Sequence, residues 1–232
     1  IFTIKPWEKL VFDHTSSSWR NIIKIFFNCF PLFIALFMLA YINNSPKYAI
    51  EKAMSYEFQT YFNAIYFPAQ TIYLFTSFIF KPLLSQMSEY WVNYTEKHKI
   101  LALFRKIIVG VIVLTVFAEV IAYFWGVHIL SWVFATDLFN YKIMLLIMIL
   151  GGGIITITNF LYHVLTVMRK QNYMLIAYGL TFILSLFIPN IFINLYGFGG
   201  AVIAYLIMMI FLAMLMTLIF IISYNQKQSD II

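Results

Sequence analysis

Long apolar runs alternate along this chain with short stretches that gather most of its charge. A bilayer core about 30 Å thick takes about 20 residues at a rise of 1.5 Å each. Six runs reach that length, at about 22–42, 62–84, 107–125, 143–167, 173–192 and 200–222. Their apolarity is nearly continuous and not confined to one stripe, which predicts helices surrounded by lipid or by one another. The connections add further elements. Ser45 can cap a helix and Pro46 can occupy its first position. Behind them Ile50, Ala53, Met54, Phe58, Tyr61 and Phe62 recur at helical spacing. An amphipathic outer helix over about 46–61 is therefore predicted at the membrane surface, bending into the second run. Between the third and fourth runs, residues His128 to Tyr141 mix Trp132, Phe134, Phe139 and Tyr141 with Asp137, as interfacial segments do.

Composition points to the same solvent. Of 232 residues, 63% are hydrophobic and 10% charged, against roughly half apolar and a quarter charged in soluble domains. The net charge of +6 does not signal nucleic acid, because the cations sit between apolar runs and form no basic face. Counted on alternate sides of the six runs, twelve Lys and Arg fall on one side, while only Lys47, Lys52 and Lys142 fall on the other. Positive charge stays inside, so both ends are expected in the cytoplasm of a multi-pass protein. That arrangement needs an even number of crossings. Cys29 is the sole cysteine, which excludes an intrachain disulfide, a cysteine zinc site and a redox pair. No Gly-rich phosphate loop, HExxH pair or His–acid cluster occurs, so no enzyme activity, cofactor or metal is expected. The chain opens on Ile1, and Glu8, Asp13 and His14 are unlike a basic then apolar secretion signal. A piece of a longer protein is expected.

Ionisable residues inside hydrocarbon are costly and worth weighing, and two stand within the runs: Glu119 and His163. Glu119 suits ion coupling, or a carboxylate that reaches the outer interface or pairs with Lys142. His163 could serve a membrane-embedded transferase as a base with Asn159 one turn away, or be a satisfied interfacial histidine. Gly151, Gly152 and Gly153 suit a hinge, and equally suit close helix packing. Pro31, Pro68, Pro82 and Pro189 are hinges or static kinks. Arg20, Lys24 and Lys81 could meet phosphate oxygens, although anchoring the topology also explains them. Lys47 and Lys52 rank above them, because they lie on the outer side where the positive-inside bias gives them no reason to be.

Three stretches resemble the lipid-linked polysaccharide flippases of the multidrug/oligosaccharidyl-lipid/polysaccharide exporter superfamily, of the bacterial O-antigen and capsule type. They are FPLFIALFMLAYINNSPKYAIEKAMSYEFQTYFNAIYFPAQ, FIFKPLLSQMSEYW, and VLTVMRKQNYMLIAYG followed by YGFGGAVIAYL. The resemblance runs from about Trp19 to Ile222 and makes the six runs that family's spans seven to twelve. It implies an all-α integral membrane protein, a six-transmembrane-helix bundle forming one lobe of a two-lobe alternating-access transporter. Residues 1–232 would be a single C-terminal lobe, with the N-terminal lobe of the same protein absent. The implied location is the bacterial cytoplasmic membrane. The implied role is flipping polyprenyl-diphosphate-linked oligosaccharide to the outer leaflet for lipopolysaccharide or capsule. Membrane lipids and polysaccharide polymerase machinery would be further partners. Pro46, Lys47 and Tyr48 match a family element, and Lys81 stands where a polar residue often precedes Pro-Leu-Leu. The resulting substrate-binding candidates are Lys47, Tyr48, Lys52, Lys81 and Arg20. A cation-coupled multidrug exporter of the same superfamily is one alternative, and a membrane-embedded glycan-modifying transferase is another.

Overall fold

Without water, a backbone can satisfy its own N–H and C=O groups only as a helix or a closed barrel. This chain takes the first course. A computed structural model describes residues 17–92 and 97–229, and among these there is no strand. The side chains of Arg20, Lys24, Pro31 and Lys81 lie outside the described residues, as does all of the segment holding Glu8, Asp13 and His14. The helices are α1 (Ser17–Ala53), α2 (Tyr56–Val92), α3 (Lys97–Ile121), α4 (Val127–Phe134), α5 (Lys142–Val167) and α6 (Gln171–Ser229). Among the described residues, three helical stretches are long and apolar enough to cross a membrane: Leu101–Phe134, Phe139–Val167 and Gln171–Asn225. The outer surface carries exposed Phe33, Phe75, Val113, Phe187 and Leu218, a skin that water would not tolerate as one continuous patch. The protein is a membrane protein.

No new helix opens at Pro46. Instead α1 runs unbroken through it, and the chain breaks at Met54 and Ser55, so the predicted 46–61 element is divided between the end of α1 and the start of α2. The reason lies in Ser45. Proline has no N–H to give the carbonyl four residues back, and here that carbonyl belongs to Ile42. The Ser45 hydroxyl donates to the Ile42 oxygen at 2.9 Å and supplies the missing bond. Ser45 therefore mends the helix and does not cap a new one.

The predicted interfacial stretch after the third run is also largely helical. A π-helical turn at Ala122–Gly126 joins α3 to α4. α4 then ends on Ala135, whose left-handed φ of 49° closes the helix through a bond from its N–H to the Ser131 carbonyl. The short link to α5 is held by Ser131 Oγ and Asp137 Oδ1, which accept the Leu138 and Phe139 N–H groups.

α6 is two helical segments in one. Gly197 has φ 58° and ψ −139°, a conformation that side chains other than glycine's rarely accept. A Cβ on Gly200 would run into the Phe192 carbonyl. Tyr178 and Tyr205 line one cavity, yet 27 residues of straight helix would hold them about 40 Å apart. The second segment therefore folds back beside the first. Packing centres on α1 against α6 and on α5 against both α2 and α6. Tyr205, Phe62, Phe160 and Met148 are fully buried in this core.

The glycine triplet lets α5 approach three helices at once. A Cβ at Gly151 would stand 2.8 Å from the Tyr205 ring on α6, and one at Gly152 would stand 2.6 Å from Ala69 Cα on α2. A Cβ at Gly153 would stand 2.5 Å from the Thr115 hydroxyl on α3. α5 keeps its helix through all three.

Candidate functional site: a polar cavity inside an apolar bundle

Tyr66, Gln70 and Tyr73 are spaced by four and then three residues, so one face of α2 carries a phenol, an amide and a second phenol. That face turns toward α1, α5 and α6. Between the four helices lies a cavity of about 380 Å³. Its polar wall is completed by Asn43 and Asn44 of α1, Thr158 and Asn159 of α5, and Tyr178 and Tyr205 of α6. Ala69 also lines the space, and its close contact with Gly152 fixes the approach of α2 to α5 at the cavity wall.

Some of these groups are already engaged. Asn44 donates through Nδ2 to the Ala40 carbonyl at 2.8 Å, and the Thr158 hydroxyl donates to the Ile154 carbonyl at 2.9 Å. Others are not. Asn43 Oδ1 and the Tyr205 hydroxyl are buried without a direct hydrogen bond, although the Tyr66 phenol stands near Tyr205. Unpaired buried polar atoms cost about 1–3 kcal/mol each, so their presence in one wall calls for an explanation. Among the described residues no carboxylate lines the cavity. Its chemistry is that of neutral amides and phenols, which can both donate and accept.

One cation stands beside it. Lys47 Nζ lies 5.0 Å from the centroid of the Tyr66 ring, within range of the attraction between an ammonium and a π face. Half-burial of Lys47 lowers its pKa below the ordinary lysine value by desolvation. Its neighbour Tyr48 is exposed and leans on Tyr41 at 5.4 Å, which in turn meets Phe182 at 5.0 Å.

The other sequence candidates lie elsewhere. Lys52 is exposed in the last turn of α1, where the helix dipole welcomes a cation. Glu119 does not line the cavity. Among the described residues it forms no ion pair with Lys142, whose Nζ sits 3.8 Å above the Tyr123 ring. His163 meets Tyr162 edge-on at 5.2 Å and stays outside the lining, although Asn159 one turn away belongs to it. Of the predicted cations whose side chains are described, Lys47 alone stands at the cavity's edge. Asn43, Tyr66, Gln70, Tyr73, Tyr178 and Tyr205 were not among the sequence candidates. The spacing of Tyr66, Gln70 and Tyr73 is a signal that marks those three; Asn43, Tyr178 and Tyr205 have none.

Comparison of the chain with family models, with curated proteins and with solved structures gave no match.

Proposed function

We propose that this chain is one six-helix lobe of a flippase in the bacterial cytoplasmic membrane, moving polyprenyl-diphosphate-linked oligosaccharide to the outer leaflet for surface polysaccharide synthesis. The observation that carries the reading is a polar cavity with no acid among its described lining residues and a cation at its edge, inside a bundle whose exterior is apolar. Carrying a sugar headgroup through hydrocarbon means replacing its lost hydration bonds. Amides and phenols do that for hydroxyls, and a lysine does it for phosphate.

Six crossings are supported by the lengths of the helices. At 1.5 Å per residue, α6 is far too long for one passage through a core of about 30 Å, and its return at Gly197 divides it near the boundary between the fifth and sixth apolar runs. α1 and α2 each enclose one further run. On this topology the cavity reaches from the outer half of the membrane toward its middle. The buried, unpaired Asn43 and Tyr205 atoms suit a bundle that has a second arrangement in which they are satisfied. The glycine triplet would then be where α5 slides or bends against α2, α3 and α6.

A cation-coupled drug exporter is the poorer account, since its cargo would want a carboxylate and none is among the described residues that line the cavity. Ion coupling through Glu119 would have to act from a distance. A transferase built on His163 would work outside the cavity.

The test is Lys47→Ala in the full-length protein. Surface polysaccharide should fall while the amount of protein in the membrane stays the same. Unchanged polysaccharide would remove Lys47 from the path of the cargo.

A further inference from the structure

The two sides of α2 differ. About a quarter turn round from the polar cavity and farther along the helix, it parts from α3 to leave an apolar groove of about 490 Å³. Ile79, Val113 and Phe117 line it and are exposed. Its depth comes from Gly110, whose Cβ would meet nothing within 4 Å. Among the described residues one charged side chain lines the groove: Lys106, exposed one turn from its end on α3. Arg105 beside it is exposed too.

Length and charge together select an occupant. The lining on α3 runs from Leu103 to Phe117, and the 11 residues from Lys106 to Phe117 are about 16 Å of helix, close to half of a hydrocarbon core about 30 Å thick. Beyond Lys106 the groove is therefore one leaflet deep. Lys106 opens the third apolar run, at the depth where phosphate headgroups lie. A polyprenyl chain would need a groove well beyond one leaflet, whereas one acyl chain fits this depth. The cation at headgroup level then favours an anionic lipid over a zwitterionic one.

We infer that the groove between α2 and α3 binds one acyl chain of an anionic phospholipid, with its phosphate on Lys106. This site is independent of what the polar cavity carries.

The test purifies the full-length protein in an uncharged detergent and identifies its retained lipids by mass spectrometry. Wild type should keep an anionic phospholipid. Lys106→Gln should lower retention about fivefold, the effect of one cation at a charged lipid surface. Gly110→Phe should fill the groove and expel the lipid, while its melting temperature in lipid-free detergent should not fall below the wild-type value, since a Cβ there meets nothing within 4 Å. If Gly110→Phe fails to fold, Lys106→Gln decides alone. Equal retention by wild type and Lys106→Gln overturns the inference. So does a retained lipid that is zwitterionic or a polyprenyl phosphate.

Discussion

A single absent methyl group means opposite things at two glycines of this chain. Gly152 faces Ala69 with 2.6 Å between the Cα of one and the would-be Cβ of the other, and backbone cannot swing aside. Gly110 faces open space within a helix. Gly152→Ala should therefore destabilise the protein by about 1–3 kcal/mol through overpacking. Gly110→Ala should stabilise it by up to about 1 kcal/mol through helix propensity. Unfolding in detergent by denaturant or heat measures both, and shifts of the same sign would refute the packing role given to the triplet. At this scale the sequence was legible where charge marked a residue. Lys47 stood out because topology offered no reason for it, and the structure brings it to Tyr66. Neutral amides and phenols carry no such mark. Charge in hydrocarbon marks Glu119, which the bundle keeps away from the cavity, and leaves Gln70 and Tyr73, which line it, unmarked.

Among the elements, α1 depends on one hydroxyl. The Ser45 to Ile42 bond replaces the one Pro46 cannot make, and Ser45 is buried, with Met208 Sδ at 3.7 Å from its oxygen. Ser45→Ala should leave a carbonyl unsatisfied in apolar surroundings and cost about 1–3 kcal/mol. The same unfolding measurement reads it, and wild-type stability would mean that the Ile42 carbonyl has another partner. Helical apolar runs were legible because lipid demands them. The fate of Asn44-Ser45-Pro46 was not, since Ser-Pro opens a helix in one setting and repairs it in another. The Ser45 hydroxyl bond to the Ile42 carbonyl makes it a repair here. The return at Gly197 falls between the fifth and sixth apolar runs, but its sharpness depends on the close approach of Gly200 to the Phe192 carbonyl.

Across the whole molecule, the cavity is an assembly that no single stretch encodes. Its wall draws on four helices and on residues from Leu39 to Tyr205, and only the α2 stripe has a period that can be read along the chain. Division of labour follows from this arrangement: α2 offers hydrogen bonds on one face and borders an apolar groove on another, with α5 fixed against it by Gly152. On the proposed reading the first face meets a polar headgroup and the second meets lipid. All of this presupposes six crossings with the basic connections inside the cell. The direct measurement replaces Cys29 with Ser, introduces Ser55→Cys, Lys99→Cys or Lys170→Cys one at a time, and treats intact cells with a membrane-impermeant thiol reagent. The account predicts that the cysteine at position 55 is labelled, while those at 99 and 170 react only after the membrane is opened. Labelling at 99 or 170 in intact cells would contradict it.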